Sequence, residues 1–434
     1  MMEKISIFTR SLGCPKNLVD TEKILGALGS IYQPATSPSA SRVVLINTCA
    51  FITPAVEESL EVIFSTWEEI KDLENRPLLV VTGCLVSRYG RELHAQIPET
   101  DIFATIKDQK SLPALILKKL GVKQQANSLD RRISTPRSYA YLKISEGCSN
   151  RCSFCTIPSI RGRLRSRKPD QVLEEASILA DRGIQELIIV AQDSTAYGRD
   201  LGYGPGLAGL VRKLSSIQGL KRLRVMYMYP SGLSLRLLEA LAETGPPFIP
   251  YFDVPFQHSH PSILKRMGRP FSEDPRIIIA RIRRVFPGAA IRTTLIAGFP
   301  GETQELFSHL QQFVRDSRIQ HLGVFPFHPE EGSRAAGFPE QVPQKVRLSR
   351  VRKIMNLQRA VSRAYLKSFQ GKLVDVLVDS AHSEWPGLFT GRTWFQSPDI
   401  DGMTYISGPD AAPGALVRGR VQETADYDLT VLQE

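Results

Sequence analysis

Glu146-Gly-Cys-Ser-Asn-Arg-Cys-Ser-Phe-Cys155 follows a strand-like apolar segment, residues 139–145, and sets three thiols in a C-x3-C-x2-C loop. A loop this compact can wrap three thiolates round three corners of an iron–sulfur cubane and leave the fourth iron open to an exogenous ligand. Zinc or simply buried thiols are the alternatives. A structural zinc ion wants four ligands, commonly a second Cys pair or histidines downstream, and no His lies near this loop. After the loop, strand-like runs recur at 186–191, 223–229, 251–255, 292–297 and 322–327, with helical patterns between them at 169–182, 207–217, 234–243 and 302–316. With 141–145 as the first strand, six strand-and-helix repeats predict an α/β fold: an incomplete parallel barrel with its chemistry at the carboxyl ends of the strands. The cysteine loop lies where the first of these strands ends.

Working outward, the other three cysteines, Cys14, Cys49 and Cys84, stand 35 residues apart and 35 again. Each lies between a strand-like run (5–8, 43–46, 78–81) and a helix-like one (17–28, 54–67, 87–97). Three such units predict a doubly wound parallel sheet whose strand-to-helix turns gather at one carboxyl edge. The three thiols are therefore expected to converge, and a second three-Cys cluster with an open iron explains the spacing better than three chance core cysteines.

The chain has 434 residues, 42% apolar and 23% charged, which excludes a disordered, collagen-like or small disulfide-stapled protein. The N-terminal stretch does not read as a signal peptide, and the best apolar run, 77–86, is strand-sized; a soluble cytoplasmic protein without membrane contact is expected. Net charge is +11, unevenly spread. From Gly371 onward four basic residues face ten acidic ones, so this part is net −6 while the rest carries +17, and a boundary is expected near 370. Five short strand-like runs there (372–378, 387–392, 403–407, 415–423, 427–432) predict a small all-β, OB-like barrel. Residues 122–136 read as a polar linker. Residues 344–369, with eight basic residues and no acid, read as a linker helix with a solvated basic face, contact with RNA being the alternative. Arg161, Arg163, Arg165, Arg167 and Lys168 crowd positive charge behind the cysteine loop, suited to a ligand or substrate carboxylate or to a solvated connector. The Gly202-Tyr-Gly-Pro-Gly206 segment lacks the context of a phosphate loop and reads as a loop at the barrel mouth.

The cysteine loop and barrel pattern resemble the radical S-adenosylmethionine (SAM) superfamily. That resemblance implies cofactor contacts at Phe154, near the adenine; at Gln192 and Asp193, ending the second barrel strand near the methionine amino group; and at Ile296 and Gly298, ending the fifth. The superfamily's usual Gly-Gly-Glu is absent at Gln192-Asp193-Ser194, so position alone supports that assignment. The chain as a whole resembles the methylthiotransferases in Ser11-Leu-Gly-Cys-Pro-Lys-Asn-Leu-Val-Asp-Thr-Glu22, Ile46-Asn-Thr-Cys-Ala-Phe-Ile52, Thr82-Gly-Cys-Leu85, Pro158-Ser-Ile-Arg-Gly-Arg-Leu-Arg-Ser-Arg167, Asp253-Val-Pro-Phe-Gln-His258 and Gly298-Phe-Pro-Gly-Glu-Thr303. The resemblance implies an N-terminal methylthiotransferase domain (1–120), a radical-SAM core built as a partial (β/α)6 barrel (135–366) and a C-terminal TRAM domain (367–434). It also implies two [4Fe-4S] clusters, on Cys14/Cys49/Cys84 and on Cys148/Cys152/Cys155.

Cys-Pro-Lys-Asn after the first cysteine and Ala191-Gln-Asp-Ser-Thr-Ala-Tyr-Gly198 resemble the branch that modifies a ribosomal protein. The implied reaction replaces a β-hydrogen of an aspartate in protein twelve of the small ribosomal subunit with a methylthio group. SAM serves both as methyl donor and as radical source, helped by an electron donor and a sulfur source. The acidic tail suits a basic protein partner better than RNA, and nothing demands more than a monomer. The sister activity on an adenosine of transfer RNA, a non-catalytic iron–sulfur ribosome-binding factor and a zinc-stabilised nucleic-acid binder are the competing readings. No catalytic acid or base is assigned.

Overall fold

The computed structural model describes residues 4–122, 130–269 and 274–434. It divides into one unit of Met1–Ser134 with Gly147–Ser149 and Cys155–Arg163, and another of Thr135–Glu146, Asn150–Phe154 and Leu164–Glu434.

The first unit is a five-stranded parallel sheet of β1 (Ile5–Ser11), β2 (Tyr32–Pro34), β3 (Val43–Thr48), β4 (Leu78–Gly83) and β5 (Ile102–Thr105), in the order β2-β1-β3-β4-β5. The strand period of two divides its core. Val43 and Leu45 face Ile24 and Leu25 of α1 (Pro15–Ala27), Leu28 just after it and Ile116 of α4 (Leu112–Lys119), while Val44 and Ile46 face Ile63 of α2 (Thr53–Ile70) and Leu85 and Leu93 of α3 (Cys84–Gln96). Helices thus cover both faces, as the sequence reading requires of a doubly wound sheet. β2, β5 and α4 lie between and beyond the three cysteine units and were not anticipated.

Part of the stretch expected as a linker is tied into this unit. Residues 123–129 lie outside the described ones, but Arg131 is buried and pairs with Glu22 of α1 through Nε at 2.7 Å, while the Ser134 amide and hydroxyl donate to the other Glu22 oxygen at 2.7 and 2.6 Å.

In the second unit β6 (Tyr139–Lys143), β7 (Glu186–Val190), β8 (Arg222–Val225), β9 (Phe248–Asp253), β10 (Ala290–Ala297) and β11 (His321–Pro326) form a six-stranded parallel sheet in sequential order. Helices Pro169–Asp181, Gly206–Ser215, Leu235–Ala242, Pro275–Val285 and Gln304–Ser317 alternate with the strands, the partial (β/α)6 arrangement expected.

Helix Gln344–Lys367 leads to a closed barrel of β12 (Leu373–Ala381), β13 (Leu388–Arg392), β14 (Thr404–Ser407), β15 (Leu416–Thr424) and β16 (Leu429–Gln433), ordered β12-β13-β14-β16-β15. Only β14 and β16 pair in parallel, so the barrel is OB-like.

The acidity of this small barrel has an internal use the sequence reading missed. Asp401 accepts from Arg292 at 2.9 Å and from the Tyr251 hydroxyl at 2.7 Å, and lies 3.3 Å from His321. Asp379 pairs with Arg392 at 2.7 Å, and Arg392 reaches Glu186 at the start of β7, also at 2.7 Å. Arg224 adds a further buried pair to Glu186 at 2.7 Å. Burial alone would raise the Glu186 carboxyl, but Arg224, Arg392 and Arg222 outweigh it and hold the group at about 2. Two of the tail's ten acids are therefore engaged here: Asp401 binds the parallel strands directly, and Asp379 holds the Arg392 that reaches Glu186.

Candidate active site: two sets of three thiols

The N-terminal thiols stand at adjacent strand ends. β1, β3 and β4 are neighbours, with Asn47 opposite Thr82 and Thr48 opposite Gly83, so Cys49 and Cys84 each follow directly from a paired strand end. Cys14 occupies the N-cap position of α1, Cys84 opens α3, and Cys49 lies in the turn into α2. Gly13 has φ +80, and a Cβ on it would come within 2.6 Å of the Cys49 Cβ and 2.7 Å of its Sγ; only glycine allows the two turns to approach so closely.

Asn17 pins the turns, donating from Nδ2 to the Leu12 and Thr48 carbonyls at 2.8 and 2.9 Å. Asn47 returns the favour to the Asn17 carbonyl and the Thr21 hydroxyl at 2.9 and 3.0 Å. The Ser59 hydroxyl clamps Cys49, taking its amide at 3.1 Å and giving to its carbonyl at 2.7 Å.

Arg161 lies here too. Its guanidinium is buried, donates to Asn17 Oδ1 and, at 3.4 Å, to Cys84 Sγ, and faces Asp20 at 3.6 Å. Of the two readings of this basic run, a group for a ligand or substrate carboxylate and a solvated connector, burial removes the solvated one for Arg161, whose partners in the structure are the N-terminal Asn17, Cys84 and Asp20. The reason is tertiary, since Ile160 beside it packs into the apolar cluster of α2 and α3.

The electrostatics follow. Burial alone would raise the Cys14 thiol, but Lys16, Arg161 and the amides of Asn17 and Lys16 together pull it below its ordinary value. Cys49 is pushed up to about 11, first by burial and then by the neighbouring Cys84 and Cys14 thiolates, against the Phe51 amide. Thiols that repel one another when ionised, with cations and helix N-termini beside them, suit a positively charged occupant with several thiolate corners. Among the described residues, no three His, Cys, Asp or Glu side chains are grouped as ligands of a single ion.

The second set is carried by one loop. Cys148 and Cys155 fall in segments 147–149 and 155–163, which pack with the first unit, whereas Cys152 falls in 150–154, which packs with the second. Gly147, at φ +76, faces the Gly162 and Arg163 carbonyls so closely that a Cβ would collide with both, and the Cys148 amide donates to the Gly162 carbonyl at 3.0 Å. On the other side the Ser153 amide donates to the Met267 carbonyl at 2.8 Å. Arg269 donates to Cys152 Sγ at 3.6 Å and stacks 4.3 Å over the Tyr229 ring, whose hydroxyl is 3.9 Å from the same sulfur. Tyr229 and Arg269 were not anticipated. Tyr229 closes the run expected as the third strand, and Arg269 carries no motif at all.

The expected cofactor residues meet in two groups. Phe154 and Ile296 pack against one apolar cluster of Ile263, Leu264, Met267, Phe299, Phe327 and Ala335. Gly298, at φ +75, donates its amide at 3.0 Å to Glu302, which is held in turn by Arg350 at 2.7 Å and His258 at 3.2 Å. Asp193 accepts from Asn150 of the cysteine loop at 2.9 Å and from Thr195 at 2.6 Å, and Gln192 donates to Glu146 at 2.9 Å. Gln192 Oε1 is buried without a hydrogen-bond partner. An orphaned acceptor in the polar group and an apolar wall in the other are the two kinds of lining required by a ligand with an ammonium group at one end and an aromatic base at the other.

This fold and these sites define a three-module protein of the radical-SAM class. Residues 142–314 match the radical SAM superfamily, residues 6–105 the uncharacterized protein family UPF0004, and residues 371–431 the TRAM domain. The chain is 52% identical over 429 residues to the ribosomal protein uS12 methylthiotransferase RimO of Oleidesulfovibrio alaskensis, covering 99% of this chain and 100% of the relative. To the protein of the same name from Aquifex aeolicus it is 40% identical, covering 96% and 95%. It belongs to the family of ribosomal protein uS12 methylthiotransferases. Among solved structures, the radical S-adenosylmethionine methyltransferase TsrM of Kitasatospora setae, with cobalamin and a [4Fe-4S] cluster bound, shares the fold at a TM-score of 0.53 and 15% identity, covering 90% of this chain and 81% of that one.

Proposed function

We propose that this protein exchanges a β-hydrogen of an aspartate in ribosomal protein uS12 for a methylthio group, with SAM as both methyl donor and radical source. Full-length relationship to uS12 methylthiotransferases carries the proposal. In this reading residues 1–120, 135–366 and 367–434 are its three modules. Cys14, Cys49 and Cys84 hold one [4Fe-4S] cluster, and Cys148, Cys152 and Cys155 hold the other. Bound together, the clusters and SAM supply an electron route to a hydrogen-abstracting radical and a methylated sulfur to insert.

The chain's own residues do the rest. Lys16 and Arg161 offset the charge of the N-terminal thiolates, and Asn17 and Ser59 fix their turns. Phe154 and Ile296 give the adenine an apolar wall that keeps water from a reactive intermediate. Gln192 and Asp193 receive the methionine ammonium, and Glu302 holds the Gly298 amide and its loop in place. An aspartate β-carbon offers no proton acidic enough for a general base, so no side chain is assigned that role.

The protein works as a monomer with an electron donor and a sulfur source, and in the cytoplasm; no described helix is long and apolar enough to cross a membrane. Its small barrel meets basic uS12 through acids outside the internal ion pairs, such as the exposed Glu384 and Glu423.

The test is anaerobic reconstitution with iron and sulfide, followed by incubation with SAM, dithionite and either uS12 or transfer RNA, with products read by mass spectrometry. About eight irons per chain and one methylthio group on uS12 alone are expected. A modified adenosine, or an unmodified protein beside cleaved SAM, overturns the assignment.

A further inference from the structure

The solvent face of helix Gln344–Lys367 plays no part in the reaction proposed above. One side of the helix packs on β11 and on helix Gln304–Ser317, burying Ile354, Gln358, Ser362 and Leu366. On the opposite side Lys345, Arg352, Arg359, Arg363 and Lys367 recur at steps of seven and four residues, which keeps them in one stripe about 33 Å long. Lys353 flanks it. The helix contains no acidic residue. Lys345, Arg352, Lys353 and Lys367 are exposed and enter no ion pair among the described residues. Arg359 and Arg363 share Asp426 at 3.6 and 2.5 Å, yet their side chains remain 55% and 66% exposed.

Local energetics run against such an arrangement. Lys345 and Arg347 oppose the helix dipole in the first turn, and the pairs Arg359/Arg363 and Arg363/Lys367 repel at i,i+4. A face that is merely solvated commonly mixes its signs. A lipid surface would need a continuous apolar face beside the stripe, whereas among the helix's large apolar residues only Val346 and Leu348, near its start, are exposed and the rest are buried or half-buried. A row of cations this long can face several successive phosphates of a nucleic-acid duplex, which bind Lys and Arg without reading sequence.

We propose that this stripe binds the backbone of duplex RNA and docks the enzyme on the RNA surrounding its substrate. The docking clause rests on the uS12 reading, whereas the phosphate contact does not.

The full chain is titrated with a short RNA duplex of arbitrary sequence over a salt series, beside two variants. One carries Lys345→Gln, Arg352→Gln, Lys353→Gln and Lys367→Gln. The other removes the same charge from exposed sites of the first unit, with Lys107→Gln, Lys110→Gln, Lys118→Gln and Lys119→Gln. The stripe variant is expected to lose about 100-fold in affinity at low salt and about 3 units of slope in log K against log salt, with the control close to wild type. Equal losses in both variants, or no loss in the stripe variant, overturn the proposal. Rates are then compared on free uS12 and on assembled small subunits. The stripe variant should keep the first and lose about tenfold or more on the second; an unchanged subunit rate overturns the docking role. A wild-type chain inactive on both substrates that still binds RNA refutes the uS12 reading alone.

Discussion

The two sets of three thiols are positioned in opposite ways. Cys148, Cys152 and Cys155 sit within eight residues of one another on a loop whose shape depends on Gly147 and on anchors at either end. Cys14, Cys49 and Cys84 are spread over 71 residues and meet because three neighbouring strands end together, with Asn17, Asn47 and Ser59 locking the turns. A contiguous loop can carry its ligands into almost any scaffold, whereas a dispersed set exists only while its sheet is folded. The loop set should therefore tolerate loosening of the first unit's strand ends better than the dispersed set, although Cys148 and Cys155 lie in segments of that unit.

The largest expected effect comes from breaking each set in turn. Replacing Cys148, Cys152 and Cys155 with Ala should abolish SAM cleavage, a loss of at least about 1,000-fold, and leave about four irons. Replacing Cys14, Cys49 and Cys84 should also leave about four irons and spare SAM cleavage, but no methylthio product should form. Iron content and separate assays of 5′-deoxyadenosine and modified uS12 check both halves; iron unchanged in either variant removes that set as ligands.

Next in size, Glu186→Gln leaves Arg224 and Arg392 buried beside a neutral amide and should destabilise the second unit by about 3–5 kcal/mol in urea unfolding. Because the folded carboxyl is depressed to about 2, its contribution is fully present above about 4.5 and is lost as pH falls toward 2. The wild type should lose stability across that acid window, and the Gln variant should lose less.

Asn17→Ala, which strips the Leu12 and Thr48 carbonyls of their donor, should cost about 1–3 kcal/mol in the apo-protein and release iron from the N-terminal set only. The smallest effect sharpens the comparison most. With the loop cysteines replaced, Arg161→Gln should shift the midpoint potential of the remaining cluster to a more negative value and alter its electron paramagnetic resonance, while Arg161→Lys should restore much of the shift. Equal behaviour of the two variants would reduce Arg161 to a packing residue.

Legibility differed between these regions for the same reason. All six parallel strands of the second unit begin within three residues of where apolar runs predicted them, and the 35-residue spacing placed each N-terminal cysteine at its turn. The third strand shows where such patterns stop informing. The apolar run extends to Tyr229, but pairing ends at Val225 and Tyr227 turns to φ +59, freeing Tyr229 to approach Cys152. Hydrophobicity reports burial, and these residues stay buried after the ladder ends.

The sequence by itself determined the class of fold, the two cysteine sets and the family, because these depend on periodicity and on motifs that are local in the chain. Only the tertiary structure decided that Arg161 faces Asn17, Cys84 and Asp20 of the first unit, that Glu22 gathers Arg131 and Ser134, and that Asp379 and Asp401 fasten the small barrel instead of remaining on its surface. Each of these pairings but Asp379 with Arg392 joins residues about 70 to 140 positions apart. A charge carries no mark of its partner along the chain, and only burial, which makes an unpaired charge too costly to keep, selects one.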